Sequence, residues 1–332
     1  MQIHGGPYFR NRRTALARLD RLWAVTAYFD PFGDRERLPA YREFRRRLRA
    51  PLVAVEIAFG DTFDLQEDDA DIVVRLQGGA VLWQKERLLN LALRALPDHA
   101  TAVAWLDCDI VFLREDWPED VLRGLEESVL IQPFSHLHYL PSAEPPEAIH
   151  TRRSGEDGIF DSIAYRFANG KPSDEVYGVS GASRRLRYAP GMAWAARRET
   201  LERIELYDAA VLGGGDKYIF AAAMGRHDDL AASIRMNRVA TQHYRAWAEP
   251  FADIVQGRIS YVEGDLLHLW HGDLSNRRYV ERFSGFERYE FDPARDLART
   301  QQGAWCWNSD KPQMHAFVRR QLALRRAGHA AC

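Results

Sequence analysis

The stretch from Ala102 to Phe112 reads AVAWLDCDIVF. Its β-branched and aromatic residues predict a strand in the centre of a sheet, although Asp107 and Asp109 interrupt the apolar run. Two ionised carboxylates in such a place are costly unless positive charge compensates them. A divalent cation would do so, and carboxylate oxygens favour Mg²⁺ or Mn²⁺. The alternative is that one aspartate caps a loop while the other is solvated.

Upstream of this stretch, strand and helix patterns alternate. Apolar, β-forming runs predict strands at Leu22–Phe29, Pro51–Ile57 and Ile72–Leu76, and helical spacing of apolar residues predicts helices at Pro39–Arg49 and Val81–Leu96. A helix between two strands is typical of a parallel βαβ unit. We therefore expect an α/β fold with an open, mostly parallel, Rossmann-like sheet flanked by helices. Ligands of such sheets bind beyond the carboxyl ends of the strands.

The second half of the chain is less regular. Repeated prolines and glycines break any pattern between residues 135 and 190, which predicts an irregular insertion or lid. Periodicity resumes with a strand at Gly191–Ala195 and helices at Arg198–Glu205 and Asp216–Met224. We expect a first α/β half (1–134), the insertion (135–190) and a second half (191–332), the two halves sharing one domain.

The composition excludes several classes. Basic and acidic residues number 45 and 47, so no global charge points to nucleic acid or to an acidic membrane. The three cysteines, Cys108, Cys306 and Cys332, form no close pair, which argues against a disulfide framework or a zinc ribbon. We see no signal peptide and no apolar run of the roughly 20 residues that span a bilayer. These features predict a cytoplasmic protein.

The segment before the acidic strand reads WQKERLLN from Trp83 to Asn90. This helix followed by an Asp-x-Asp strand resembles the GT-A glycosyltransferases, most closely the β-galactosyltransferase or family 2-like group. The resemblance implies that Asp109 ligates the metal, while Asp107 lies at the sugar or ribose end of the metal site. It also implies that Lys85 and Arg87 face the donor. On physical grounds both basic residues could instead face solvent on an amphipathic helix.

A second matching block runs from Gly191 to the glycine-rich segment Gly213–Asp216. The resemblance implies that Asp216 is the catalytic base, which would give inversion at the anomeric carbon by deprotonating an acceptor hydroxyl. Gly215 departs from the family, which usually has Glu there, so a retaining mechanism stays open. Asp216 could also be a plain helix N-cap after a glycine turn.

The third block reads HLWHG from His268 to Gly272 and precedes a basic loop. The resemblance implies that a late histidine binds the metal, and we prefer His271, because Gly272 and the loop follow it. On a strand, His268 would point to the opposite face. Arg277 and Arg278 could neutralise the diphosphate leaving group or be solvated loop residues.

The resemblance implies that residues 1–134 bind the nucleotide sugar and that residues 191–332 bind the acceptor and complete the metal site. Residues at the end of the first strand complete the predicted donor site. The resemblance places Thr26, Tyr28 and Asp30 where the base and ribose bind. An aromatic ring can stack on uracil and a carboxylate can bind ribose hydroxyls, but Tyr28 could equally be a core residue.

The predicted partners are a nucleotide-sugar donor, with uridine diphosphate preferred only by resemblance, and an acceptor hydroxyl such as that of a glycan. Basic patches at Arg152–Arg153 and Arg184–Arg187 leave a nucleic acid acceptor open. The rival enzyme is a sugar-phosphate nucleotidyltransferase or nucleotide-sugar hydrolase, although no glycine-rich phosphate loop follows the first strand. The non-enzymatic rival is a glycan-binding protein on a degenerate transferase fold.

Overall fold

The computed structural model describes residues 21–140, 158–170, 188–270 and 282–325. His271, Arg277 and Arg278 lie outside these ranges, as do the two basic patches. Among the described residues, no helix is both long and apolar enough to cross a membrane.

Fourteen strands in the described ranges form three sheets. They are β1 (Leu22–Phe29), β2 (Leu52–Ala58), β3 (Ile72–Gln77), β4 (Ala102–Leu106), β5 (Ile110–Phe112), β6 (Leu130–Gln132), β7 (His136–Tyr139), β8 (Ile159–Ser162), β9 (Tyr188–Ala189), β10 (Ala193–Arg197), β11 (Ile259–Tyr261), β12 (Asp265–His268), β13 (Leu297–Arg299) and β14 (Trp305–Trp307).

Ten α-helices connect or cover these strands within the same ranges. They are α1 (Leu38–Arg47), α2 (Lys85–Arg94), α3 (Trp117–Gly124), α4 (Ile163–Ala168), α5 (Arg198–Arg203), α6 (Gly215–Ala223), α7 (His227–Ser233), α8 (Arg238–Val255), α9 (Pro293–Asp296) and α10 (Pro312–Ala323).

The main sheet has seven strands in the order β11-β6-β10-β4-β1-β2-β3. Strands β4, β1, β2 and β3 pair in parallel, and β10 pairs antiparallel with both of its neighbours. Among the described strands of this sheet, β10 alone therefore runs against the others. The predicted α/β class, with an open and mostly parallel sheet flanked by helices, is confirmed.

Both faces of the main sheet are buried, as expected of parallel strands that lie between helices. Along β1, Val25 and Phe29 pack in a core cluster that includes Leu88 and Leu89 of α2, while neighbouring residues such as Tyr28 pack in the cluster on the other face. Side chains that alternate along the strand thus contact different helical layers.

The second sheet has the order β5-β12-β7-β8-β9. The described parts of the 135–190 segment contribute β7, β8, α4 and β9, so these parts are mostly regular structure. The second sheet lies beside the acidic turn that follows β4.

The prediction of a single strand from Ala102 to Phe112 is wrong. Strand β4 ends at Leu106, and β5 begins at Ile110 in the second sheet, where it pairs antiparallel with β12. The carboxylate-bearing residues between them form the turn that joins the two sheets. Its backbone is held from both sides, because Asp107 N donates to Met192 O at 2.7 Å and Leu269 N donates to Asp109 O at 2.8 Å.

The helix predicted at Val81–Leu96 is shorter, Lys85–Arg94. Backbone groups before it bond outside the helix: Ala80 N donates to Trp305 O at 2.8 Å, and Trp83 N donates to Val211 O at 3.0 Å. The segment that precedes the helix therefore forms backbone hydrogen bonds with two distant parts of the chain.

Candidate active site

One cavity at the carboxyl ends of β1 and β4 collects polar side chains from four separate segments. It is lined by Lys85 of α2, by Asp107 and Asp109 of the turn after β4, by Asp216 of α6, and by His268 at the end of β12. This is the position at which open α/β sheets bind ligands. The sequence blocks that we singled out separately therefore meet in space.

Lys85 links the two acidic parts of the cavity. Its Nζ lies 2.5 Å from Asp107 Oδ1 and 3.3 Å from Asp216 Oδ2, and only 9% of its side chain is exposed. Burial alone would lower the pKa of the Lys85 amine, but the carboxylates of Asp107 and Asp216 outweigh that effect and raise this pKa. The ammonium thus supplies part of the positive charge that we expected from a cation alone.

Asp107 is only half-buried, with 27% of its side chain exposed. Burial raises the pKa of its carboxyl to about 6; Lys85 opposes this rise, and the negative charges of Asp216 and Asp109 add to it. Clustered carboxylates that perturb one another in a cavity are typical of functional sites.

Asp216 is held close to the backbone of the facing loop. It is the second residue of α6, the N-cap position belongs to Gly214, and 17% of the Asp216 side chain is exposed. A Cβ added to Gly191 would lie 2.7 Å from Asp216 Oδ2, so only glycine permits this approach. The alternative that Asp216 is the N-cap is therefore wrong, and its carboxylate faces the cavity instead.

Glu86 is a buried carboxyl that the sequence reasoning missed. Its Oε1 lies 2.1 Å from the position that a Cβ on Gly215 would take, and Trp83 Nε1 donates to its Oε2 at 3.0 Å. The space left by the missing side chain at position 215 is therefore filled by Glu86. Burial raises the pKa of Glu86 to about 7; Lys85 opposes the rise and Asp216 adds to it. The departure at Gly215 was the signal that could have found it.

We expect the free energy of unfolding of the Glu86→Gln variant, relative to that of the wild type, to be higher at pH 8 than at pH 5. The folded-state pKa of about 7 exceeds the ordinary 4.5, so the folded state binds more protons than the unfolded state between these values. Wild-type stability therefore falls as pH rises through that window, on the order of 2–3 kcal/mol, and glutamine has no such loss.

Urea unfolding of both proteins at the two pH values measures this difference. Glu126 is exposed, and Glu126→Gln is the matched control. Its free energy of unfolding should differ from that of the wild type by the same amount at pH 5 and at pH 8. If Glu86→Gln differed from the wild type by the same free energy of unfolding at pH 5 and pH 8, the prediction would be contradicted.

His268, not the preferred His271, is the histidine that the described residues place in the cavity. Its Nε2 lies 3.8 Å from Asp109 Oδ1, and both side chains are buried. The metal contact predicted for His271 remains a prediction, because that residue lies outside the described ranges together with Arg277 and Arg278.

The donor set of the cavity suits a hard divalent cation. Within the described ranges, no group of three or more His, Cys, Asp or Glu side chains is arranged to hold a metal ion. Two ligands are sufficient for Mg²⁺ or Mn²⁺ when substrate phosphates complete the coordination. Asp109 Oδ1 and His268 Nε2 are close enough to share one ion, because each metal–ligand bond is roughly 2.1 Å long. The residues present therefore fit the predicted metal.

Two of the residues predicted to contact the base and ribose have side chains that point away from the cavity. Thr26 is fully buried and its Oγ1 donates to Leu106 O at 2.8 Å, while Tyr28 is buried and its hydroxyl donates to Asp64 Oδ2 at 3.3 Å. The alternation of β1 sends its other side chains toward the cavity. The residues of β1 that line it are Ala27 and Phe29.

Asp30 shapes the turn after β1. Its carboxylate accepts backbone N–H bonds from Phe32 at 3.2 Å, Gly33 at 3.0 Å and Arg35 at 2.7 Å. It also lines a smaller pocket that shares Arg37 and other residues with the main cavity. A ribose contact at Asp30 is still a prediction.

Arg87 lies outside the cavity lining, in the core between α2 and the antiparallel pair of strands β13 and β14. It is 1% exposed, its Nη1 lies 3.1 Å from Asp208 Oδ2, and its Nε donates to Gly303 O at 2.7 Å. We expected Arg87 to face either the donor or the solvent, and it does neither. In this arrangement Arg87 has a structural role.

Comparison with known proteins finds likeness only among solved structures. Neither the models of protein families nor the curated proteins give a match. Glucosyl-3-phosphoglycerate synthase from Mycobacterium tuberculosis, in complex with Mn²⁺, UDP and phosphoglyceric acid, is 13% identical over 86% of this chain and 82% of that chain, with a TM-score of 0.39. Another complex of that synthase holds Mg²⁺ and UDP.

Structures of S. aureus TarS are also similar. The longer one is 11% identical over 83% of this chain and 45% of that chain, with a TM-score of 0.35; the 1–349 fragment is 10% identical over 70% of both chains, with a TM-score of 0.34. At such low identities, the assignment of a function rests on the cavity itself.

Proposed function

We propose that this chain is a metal-dependent GT-A glycosyltransferase that transfers a sugar from a nucleotide diphosphate donor, a UDP-sugar, to an acceptor hydroxyl. One observation carries the proposal: Lys85 joins the acidic turn at Asp107 to the carboxylate of Asp216 inside a single cavity. A donor-binding group and a candidate base thus lie within reach of one bound substrate.

On the donor side, Asp109 and His268 would hold Mn²⁺ or Mg²⁺, with His271 as the further predicted ligand. Such an ion, when bound, neutralises the negative charge that develops on the leaving diphosphate. Asp107 would lie toward the sugar or ribose, where Lys85 keeps its carboxylate oriented at 2.5 Å. Arg277 and Arg278 are proposed to contact the diphosphate.

On the acceptor side, Asp216 would take the proton from the attacking hydroxyl. Lys85 contacts Asp216 Oδ2 at 3.3 Å and so holds the carboxylate in place through its ammonium. Attack from the face opposite the leaving group would invert the anomeric centre. Inversion, the likeness to the β-galactosyltransferase group, the cytoplasmic location and the three-part division of the chain are parts of this proposal.

Release of nucleoside diphosphate from a panel of sugar nucleotides, without acceptor, tests the proposal. We expect slow hydrolysis of one donor with Mn²⁺ or Mg²⁺, reduced at least about 100-fold by a chelator and by Asp109→Ala, because the metal supplies several kcal/mol of charge stabilisation. The exposed Asp116→Ala is the matched control and should retain wild-type rates. Failure of the wild type to bind any nucleotide or metal would contradict the proposal and favour the non-catalytic alternative.

A further inference from the structure

The glycine run before the proposed base contains one glycine that its backbone does not require. Gly213 and Gly214 have φ angles of +81° and +92°, a left-handed conformation that favours glycine. Gly215 instead begins helix α6, and glycine weakens a helix relative to alanine. The reason for a glycine at position 215 must therefore lie in its surroundings.

Glu86 packs directly against Gly215. A Cβ added to Gly215 would lie 2.1, 2.3 and 2.7 Å from Oε1, Cδ and Cγ of Glu86, a residue that is only 3% exposed. Burying a carboxyl is itself unfavourable, because its charged form loses contact with water. Two locally unfavourable choices thus meet at one contact, and proteins break local rules in this way mainly at functional sites.

This contact adjoins the proposed base. Lys85 and Glu86 are consecutive in α2, and Gly215 and Asp216 are consecutive in α6. Lys85 Nζ lies 3.3 Å from Asp216 Oδ2, while Glu86 packs against the residue before Asp216. The first turns of the two helices therefore touch at two adjacent points. A shift of either helix would move the Asp216 carboxylate relative to Lys85 and to the facing backbone at Gly191.

The second carboxyl oxygen of Glu86 binds the wall of the cavity. Trp83 Nε1 donates to Glu86 Oε2 at 3.0 Å, and the Trp83 ring packs edge-on against Phe29, with 5.5 Å between the ring centroids. Both rings line the cavity. An alkyl side chain could fill the space beside Gly215, but it could not accept the indole N–H. A carboxyl at position 86 therefore contacts α6 and the cavity wall at once.

We propose that Glu86 is a positioning residue for the proposed base. It occupies the place of a side chain at position 215 and so sets the distance between the first turns of α2 and α6, which keeps Asp216 beside Lys85 and within reach of the substrate. This inference rests on the proposed function and adds to it a residue outside the described cavity lining. Glu86 acts on Asp216 through Gly215, and on the cavity wall through Trp83.

A double-variant cycle on the full chain tests the inference by turnover of the donor that the wild type hydrolyses. Gly215→Ala is expected to lower turnover about 100-fold, because the methyl group displaces either the buried Glu86 or α6, and a misplacement of about 1 Å costs that much. Adding Glu86→Ala vacates the space and should raise turnover at least about 10-fold above that of Gly215→Ala. Glu86→Ala alone should lose about 10-fold, whereas Glu86→Gln keeps the shape and the acceptor oxygen and should lose less than about threefold.

Affinity for UDP with Mn²⁺ is the second readout. It should stay within about threefold of the wild type in every variant, because Glu86 acts on the acceptor side. Gly60→Ala is the matched control, since Gly60 is exposed and a Cβ there would meet no heavy atom of the described chain within 4 Å apart from its own chain neighbours. Urea unfolding determines the folded fraction of each variant under the assay conditions.

A purely structural contact would lower the free energy of unfolding of Gly215→Ala and leave the turnover of the folded protein unchanged, which would overturn the inference. A double variant no more active than Gly215→Ala, or a loss of UDP affinity as large as the loss of turnover, would overturn it too. If Gly215→Ala does not fold, equal turnover in Glu86→Ala, Glu86→Gln and the wild type would have the same meaning. An inactive wild type would contradict the proposed function and, with it, this inference.

Discussion

Replacing Asp216 by Asn is expected to slow donor turnover by roughly 10²–10⁴-fold, the range that general bases contribute. The amide keeps the size of the side chain, which matters because a Cβ on Gly191 would lie only 2.7 Å from Asp216 Oδ2. The amide cannot take a proton from the attacking group, which is water when no acceptor is present. Steady-state release of nucleoside diphosphate, from the donor that the wild type hydrolyses, measures the loss.

Binding of UDP with Mn²⁺ is the companion measurement, and we expect it to stay within about threefold because Asp216 belongs to the acceptor side. Asp228→Asn is the matched control: Asp228 pairs with Arg245 on the surface at 2.6 Å and should have no effect on turnover. A wild-type rate in Asp216→Asn, or equal losses of turnover and UDP affinity, would show that Asp216 is not the base.

Replacing Arg87 by Met is expected to lower the free energy of unfolding by about 3–5 kcal/mol, the usual result of removing one partner of a buried ion pair. The guanidinium lies 3.1 Å from Asp208 Oδ2 and donates to Gly303 O at 2.7 Å. Its Cζ also lies 5.4 Å from the centroid of the Trp305 ring. Burial raises the pKa of Asp208 even though Arg87 opposes the rise, so the carboxylate depends on this partner.

Arg94→Met provides the control on the same helix. Arg94 contacts Glu205 at 2.7 Å, but its side chain is 55% exposed, and exposed pairs contribute less than about 1 kcal/mol. Urea unfolding compares the two variants, and adding Asp208→Asn to Arg87→Met should recover part of the loss. Equal small losses in both single variants would contradict a structural role for Arg87.

Much of the fold followed from local patterns. The strand predicted at Leu22–Phe29 has the same bounds as β1, and the predicted second and third strands differ from β2 and β3 by one residue at their ends. Buried parallel strands are continuous apolar runs with turn residues at both ends, and such runs can be recognised without knowing their neighbours.

The Asp-x-Asp stretch shows where local patterns fail. Apolar residues lie on both sides of Asp107 and Asp109, so the run alone does not show whether the strand continues past the aspartates or ends at them. The break depends on β12, more than 150 residues later, which pairs with Ile110–Phe112 and draws them into another sheet. A pairing partner so distant cannot be inferred from periodicity.

In the candidate site, Lys85, Asp107, Asp109 and Asp216 were predicted from the sequence, and the structure places all four in one cavity. Which side chains contact them depends on the tertiary structure. The spacing of a helix or strand determines which side chains share a face, but the partner that covers that face comes from elsewhere in the chain. For this reason Lys85 faces two carboxylates instead of solvent, while Thr26 and Tyr28 face the core instead of the cavity.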